Sequence, residues 1–314
     1  MRISKAAVIG SMVWWGFMVS AQTPPASPAA AASYQQARDA IAKRDYSSAL
    51  AILKPLAEQG MARAQSTLGT MYAIGMGVPR NPTEAVTWFR KAADQGFPEA
   101  ESNLATAYSS GSGLPKDEAE AAKLYRKAAE QGYAPAQFFL ANALRDKPGT
   151  AESQREAVTW YRKAADQDYA PAQDALGNMY FLGIGIAKDE FQAVNWFRKA
   201  ADKGLPSAES NLGAMYEHGA GVTLDSAVAL GWFRKAAEQN FPPAMARIGS
   251  IYVRGEGVVA DPVEAYKWLL LAAVQKDPDA SRDIADLAVH MTPAQIDQAK
   301  QAATAWVGRH SPQH

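Results

Sequence analysis

The sequence contains no cysteine and only four histidines among its 314 residues. Without cysteine, the chain can form no disulfide, iron–sulfur cluster, thiol nucleophile or cysteine-containing zinc site. His310 and His314 lie in a polar C-terminal segment, and His218 and His290 are separated by two sequence repeats, described below. The histidines therefore do not predict a metal site, and we expect no metal ion and no cofactor.

The sequence also lacks an excess of charge and any recognisable catalytic motif. Its 32 Lys and Arg residues balance 32 Asp and Glu residues, whereas a nucleic-acid-binding protein needs a basic surface. Neither Gly-x-Ser-x-Gly nor Ser-x-x-Lys is present, so no nucleophile and base are paired by motif. We therefore expect no nucleic-acid partner, no catalytic residues and no enzymatic activity.

The N-terminus has the pattern of a secretory signal. Arg2 and Lys5 precede the uncharged residues 6–19, and Val19-Ser20-Ala21 provides a cleavage site. This pattern predicts a signal peptide over residues 1–21 and export to a periplasm or to the cell exterior, with no integral membrane span after cleavage. The alternative is an uncleaved signal that tethers the protein to a membrane. Residues 22–33 are rich in Pro and Ala and predict a linker.

The sequence repeats every 36 residues. The string WFRKAA begins at Trp88, and variants of it begin at Leu124, Trp160, Trp196, Trp232 and Trp268. A period of this length is typical of a solenoid, in which stacked units take the place of one large core.

Each repeat contains two helical patterns with alanine at a constant position. In the second pattern the alanines are Ala49, Ala85, Ala121, Ala157, Ala193, Ala229 and Ala265. In the first they are Ala64, Ala100, Ala136, Ala172, Ala208, Ala244 and Ala280. The predicted N-caps of the second helices are Asn81, Asp117, Ser153, Asp189, Asp225 and Asp261. These helices are predicted to end at Gly60, Gly96, Gly132, Gly204, Asp168 and Asn240, where a left-handed residue belongs.

The repeated strings AxxxLGxMYxxGxGVxxD and AxxWFRKAAxxG resemble the Sel-one-like repeat (SLR) family, a relative of the tetratricopeptide repeats. The resemblance covers residues 49–280. It implies an all-α fold, a right-handed α-solenoid or superhelix of about eight antiparallel helix pairs. It also implies an adaptor or scaffold role in which proteins or peptides bind the superhelical surface, and it supplies no catalytic residues.

The two ends of the array depart from the repeat pattern. Residues 34–60 predict a tetratricopeptide-like capping hairpin, 61–280 the repeat array, 281–308 a C-terminal capping hairpin, and 309–314 a disordered tail. Within the array, residues 145–149 replace the usual Gly-x-Gly loop.

The candidate binding surface follows from positions that vary between repeats. On the first helices these are the positions of residues 66, 67, 70, 73 and 74, which we expect to lie opposite the Ala/Leu/Tyr face and to line a concave side. Large apolar residues at otherwise polar positions indicate an interaction patch. The alternative is that Phe138 and Phe139 pack locally to compensate for the irregular loop. The candidate partner-binding residues are Phe138, Phe139, Asn142, Arg145, Phe181, Leu182, His218, Arg247 and Arg254.

Arg-Lys pairs such as Arg162–Lys163 and Arg198–Lys199 recur near the ends of the second helices. They could contact an acidic partner or an anionic lipid, but cations are favoured in the last helical turn for electrostatic reasons. We prefer that structural explanation.

These observations predict an exported, monomeric scaffold or adaptor that binds a protein or an extended peptide through the concave face. The alternative is a cell-envelope protein that recognises peptidoglycan or modulates a cell-wall enzyme. A hydrolase is the least favoured class, because neither cysteine nor a catalytic motif is present.

Overall fold

The computed structural model describes residues 27–146, 150–275, 277 and 280–310. The signal peptide predicted over residues 1–21 lies outside this part of the chain. The chain divides into two compact units, residues 1–100 and 101–314. Across the described ranges the regular secondary structure consists of sixteen α-helices, with no strand.

Unit 1 contains two helix pairs and the start of a third. Its helices are α1 (Pro28–Ala42), α2 (Tyr46–Glu58), α3 (Ala62–Ile74) and α4 (Pro82–Ala93). Helix α5 (Pro98–Ser110) begins in unit 1 and ends in unit 2.

Unit 2 continues the same alternation of helices. Its further helices are α6 (Glu118–Glu130), α7 (Ala134–Asp146), α8 (Ala151–Ala165), α9 (Ala170–Leu182), α10 (Glu190–Ala201), α11 (Pro206–His218), α12 (Ser226–Glu238), α13 (Pro242–Arg254), α14 (Pro262–Val274), α15 (Ala280–Ala288) and α16 (Pro293–His310). Odd-numbered helices are the first helices of their pairs and even-numbered helices the second. The predicted all-α solenoid of about eight helix pairs is confirmed.

The constant alanines lie where the helices approach one another most closely. All fourteen alanines of the two repeated positions are at most 2% exposed. Because alanine adds only a methyl group, it lets neighbouring helices come close, and larger side chains from the partner helix fill the remaining space. This explains why these two positions never change along the array.

A glycine on the first helix receives an aromatic ring from the second helix of the same pair. A methyl group at Gly177 would lie 2.7 Å from the Phe197 ring, and one at Gly213 would lie 2.9 Å from the Phe233 ring. Both rings are almost completely buried. The close contact between ring and helix therefore requires glycine, which has no side chain, at this position.

The ends of the second helices agree with the predicted caps except in one repeat. Asn81, Asp117, Asp189, Asp225 and Asp261 each accept a backbone N–H in the first turn of their helix. The prediction of Ser153 as an N-cap is wrong. Thr150 caps α8 instead and accepts the N–H of Ser153, so α8 begins at Ala151 and has 15 residues where α10 has 12.

The left-handed residues after these helices are confirmed, including the two that are not glycine. Asp168 and Asn240 have φ values of 64° and 59°. Asp and Asn tolerate this conformation better than other residues with a side chain.

Two predicted boundaries need correction. Residues 28–33, predicted as linker, belong to α1, because Ser27 caps that helix, Pro28 occupies its first turn and the alanines that follow favour helix. Residues 309 and 310, predicted as tail, belong to α16. The His310 ring stacks on Trp306 with 4.0 Å between the ring centroids, which extends the helix by holding its last turn. Among the described helices, none has both the length and the apolar composition needed to cross a membrane.

Two glycine-to-alanine changes test this packing. Gly213→Ala should lower the free energy of unfolding by about 1–3 kcal/mol, because the new methyl group overpacks against Phe233. Gly231→Ala, in α12, should raise it by up to about 1 kcal/mol, because nothing lies within 4 Å of the added methyl and alanine favours helix. Urea denaturation of both variants measures the difference. Equal effects would contradict the assigned helix faces.

Candidate partner-binding surface

Three of the predicted residues occupy the same place in three successive repeats of unit 2. Leu182, His218 and Arg254 are the last residues of α9, α11 and α13. Each precedes a glycine with φ between 66° and 71°, which ends the helix and turns the chain away. We call these three residues the terminal row.

The beginning of the terminal row is apolar. Leu182 is 59% exposed. Phe181 beside it is half-buried against the core around Phe197, and the Lys188 ammonium lies 5.7 Å from the centre of the Phe181 ring. The helix end thus presents a leucine side chain next to the accessible part of an aromatic ring.

The other end of the row is charged and is organised around Glu217. The side chain of Glu217 is 2% exposed, and its Oε1 is 2.7 Å from Nη2 of Arg254. Its Oε2 lies 3.8 Å from Nη1 of Arg247 and 4.0 Å from Nε2 of His218. Arg254 also reaches Oε1 of Glu256 through Nε, at 2.8 Å. The structure therefore brings together His218, Arg247 and Arg254.

Phe138 and Phe139 belong to an aromatic cluster between α6, α7 and α8. The Phe139 ring stacks on Tyr125 at 5.3 Å between centroids, and Phe138 contacts both Tyr161, at 5.9 Å, and Tyr169, at 5.7 Å. Both phenylalanines are half-buried and pack against one core cluster. The geometry supports the local-packing explanation for this pair, whereas Phe181 packs against a different core cluster.

Asn142 is explained by the same cluster. Where three other repeats pair glycine with phenylalanine, this repeat pairs Ala141 with Tyr161. The Tyr161 hydroxyl donates to Oδ1 of Asn142 at 2.5 Å. The preceding repeat has the same arrangement between Tyr125 and Thr106. In both repeats a polar side chain on the first helix forms a hydrogen bond with the tyrosine hydroxyl, a group that phenylalanine lacks at this position in other repeats. Arg145 lies exposed near the end of α7, and residues 147–149 of the irregular loop lie outside the described part of the chain.

The expectation that the position of residue 66 lies on the free surface is wrong. Ser66 and Ser102 at this position are buried. Asp174, at the equivalent position of α9, accepts hydrogen bonds of 2.8 Å from Ser207 and Asn211 of α11. Successive first helices are in contact. Each first helix therefore needs one face for the second helix of its own pair and another for the neighbouring first helix, and the position of residue 66 lies on the second of these faces.

The Arg-Lys pairs of the second helices contact aromatic side chains. Lys163 and Lys199 lie over the rings of Trp160 and Trp196, at 3.8 and 3.9 Å from the ring centres. The neighbouring arginines donate to tyrosine hydroxyls of the following first helix, as Arg198 does to Tyr216 at 2.7 Å. These contacts, which the sequence did not predict, give the pairs a structural role in addition to the favourable helix-end electrostatics.

Two acids that matter for the surface, Glu217 and Asp174, were not among the predicted residues. Both stand at variable positions, those of residues 73 and 66, where none of the other repeats has an acid, and that local departure is the sequence feature that could have identified them. Within the described ranges, no group of three or more His, Asp and Glu side chains is arranged to hold a metal ion.

The aromatic cluster can be tested by its contribution to stability. Phe138→Ala should lower the free energy of unfolding by about 2–4 kcal/mol, near the values for buried phenylalanine. The matched control is Phe191→Ala in α10, whose side chain is 72% exposed and whose loss should change stability by no more than about 0.5 kcal/mol. Thermal and urea unfolding compare the two. A small effect of Phe138→Ala would contradict the packing assignment.

Asp174 predicts a dependence of stability on pH. Burial raises the pKa of its carboxyl, although the hydrogen bonds from Ser207 and Asn211 lower it in part. The folded state therefore holds this proton more tightly than the unfolded state, and the resulting stability is lost as pH rises through the folded-state pKa. Asp174→Asn should accordingly be more stable than the parent at pH 7, and this advantage should disappear at pH 3. An advantage that is constant with pH would refute the assignment.

Comparisons with known proteins follow the same repeat boundaries. The Sel1 repeat family matches residues 62–97, 98–133, 134–169, 170–205, 206–241 and 242–277. No curated protein sequence matches the chain.

Two solved structures are similar over most of the chain. A Sel1 repeat protein from Oxalobacter formigenes is 33% identical, with a TM-score of 0.69 over 76% of this chain and 96% of its own. A protective antigen present in uropathogenic Escherichia coli strains, described as displaying an SLR fold, is 30% identical, with a TM-score of 0.54 over 90% of this chain and 69% of its own.

The six matched repeats cover more than half of the sequence and coincide with the helix pairs from α3 to the loop after α14. The chain therefore belongs to the Sel1 repeat family, whose members are generally protein–protein interaction scaffolds and typically not enzymes.

Proposed function

We propose that this protein is a scaffold that binds an extended segment of a partner protein across the terminal row of unit 2. The observation that carries the proposal is the exposed Leu182 beside Phe181, in line with His218 and Arg254 on the next two first helices. The two buried alanine positions of the repeat are constant, whereas this row presents a different side chain in each repeat. Such variation on a rigid array is suited to recognising one sequence in one register.

The site of action is proposed to lie outside the cytoplasm. This part of the proposal is supported by residues 1–21 of the sequence, with their basic start, uncharged stretch and Val19-Ser20-Ala21 site. The partner would then be an envelope or secreted protein.

Partner binding should depend on Leu182 and not on an equally exposed residue elsewhere. Leu182→Ser should weaken partner capture by about tenfold or more, the range of an interface hot spot. The matched control is Ile74→Ser, because Ile74 is also the last residue of a first helix and is 60% exposed. Chemical crosslinking in the envelope fraction, followed by quantitative mass spectrometry, compares capture by the parent and the two variants.

Neither change should alter the unfolding midpoint appreciably, because both side chains are largely exposed in the folded state. If Leu182→Ser and Ile74→Ser reduced capture equally, or if neither reduced it, the terminal row would not be the binding surface.

A further inference from the structure

Glu217 is an unexpected residue for its place in the repeat. Its carboxylate is almost completely buried, and burial of a charge is costly even when it is paired. The equivalent residues are Ala73, Ser109, Arg145, Phe181 and Val253. Because none of them is an acid, the fold does not require an acid at this position. The role of Glu217 therefore follows from the side chains that it contacts.

Glu217 holds two arginines of the next first helix in place. Arg247 and Arg254 are seven residues apart on α13, which places them on one helix face. Arg254 is fixed by Glu217 on one side and by Glu256 on the other. A side chain restrained in this way loses less conformational entropy when it binds a ligand.

The two ion pairs of Glu217 are not equivalent. Within the described residues, Oε2 of Glu217 accepts no hydrogen bond. The Arg247 guanidinium lies 3.8 Å from this oxygen, too far for a hydrogen bond to form. The exposed guanidinium of Arg247 is therefore oriented by the charge of Glu217, while its N–H groups remain available to a ligand. The exposed His218 ring is near the same carboxylate, with Nε2 at 4.0 Å from Oε2.

We propose that the guanidinium groups of Arg247 and Arg254 bind an acidic side chain of the partner, in addition to the apolar contact at Leu182. This inference rests on the proposed function and specifies the chemistry of the partner. Arginine suits this task because its planar N–H groups match a carboxylate. Glu217 acts as a positioning residue beneath the surface, and Glu256, which pairs with Arg254, would compete with the partner's acid.

The repeat geometry also predicts the spacing within the partner. Leu182 and Arg254 hold the same position two repeats apart. Neighbouring helices pack about 8–10 Å apart, so two repeats span about 20 Å, which an extended peptide covers in about six residues. The partner segment should thus carry a large apolar residue and an acidic residue separated by about six positions.

A random peptide library of about twelve residues, displayed on phage, tests this chemistry without knowledge of the natural partner. Selection on the full-length protein should enrich peptides with an apolar residue and an Asp or Glu about six positions apart. Selection on Arg247→Glu should lose the acidic residue and retain the apolar one. The matched control is Arg234→Glu, the same charge change on α12, where the arginine donates to the Tyr252 hydroxyl. This control should enrich the same peptides as the parent.

A second measurement does not depend on how well a charge-reversed variant folds. The best selected peptide and its Glu→Gln analogue are titrated against the parent and against Arg247→Met by isothermal calorimetry. The acid should strengthen binding to the parent by about tenfold, as expected for a charge-assisted hydrogen bond, and have little effect with Arg247→Met. An equal loss on both proteins would overturn the inference.

The outcomes also separate this inference from the proposed function. Enrichment of apolar residues without an acid would overturn the role of the arginines and leave the terminal row as the binding surface. If no peptide were selected whose binding depends on Leu182, both the inference and the proposed function would be overturned.

Discussion

Close approach between helices is the constraint on which the rest of this structure depends. Fourteen alanines at two repeated positions are buried between helices, and a glycine opposite Phe197 or Phe233 brings the two helices of a pair closer still. Any larger side chain at these positions would force the helices apart. The spacing of every other contact in the repeat, including that between successive first helices, follows from these small residues.

This constraint also determines which positions are free to carry function. A first helix packs against its own second helix through the Ala/Leu face and against the next first helix through residues such as Asp174. Two faces of the first helix are therefore used for packing. The last residue before the left-handed glycine keeps a largely accessible side chain, and there Leu182, His218 and Arg254 differ in size, polarity and charge. The positions that are free to recognise a partner are consequently those at the ends of the first helices.

The sequence predicted the repeating features well because many copies repeat the same physical requirement. The 36-residue period, the helix pairs, most of the caps and the left-handed residues at 168 and 240 are all confirmed. The errors occur where a single copy departs from the pattern. Thr150 replaced Ser153 as a cap because the preceding loop is irregular, and α1 begins at Pro28, in a segment whose Pro and Ala content suggested a linker.

The candidate surface was only partly predictable for the same reason. His218, Arg247 and Arg254 were chosen as candidate residues, but the buried Glu217 was not, although it stands at the variable position of residue 73. Its contacts with Arg247 and Arg254 join residues 30 and 37 positions apart, which no local pattern connects. Conversely, Phe138 and Phe139 were grouped with Phe181 on the basis of size. Only the structure distinguishes rings that fill the space beside Tyr125 and Tyr161 from a ring at a helix end.

The two surfaces of a repeat differ in the information they can carry. On the second helices, Lys163 and Lys199 make the same contact with a tryptophan one repeat apart, and a partner would meet nearly identical features after each step of 36 residues. A surface of that kind cannot define a register, since shifting the partner by one repeat restores the same contacts. The terminal row does not repeat, because an apolar side chain is followed by histidine and then by an arginine held by Glu217. A shift by one repeat would place either the apolar group or the acid of the partner against His218 and leave the other group without its contact, so the terminal row can specify both the identity and the position of a partner.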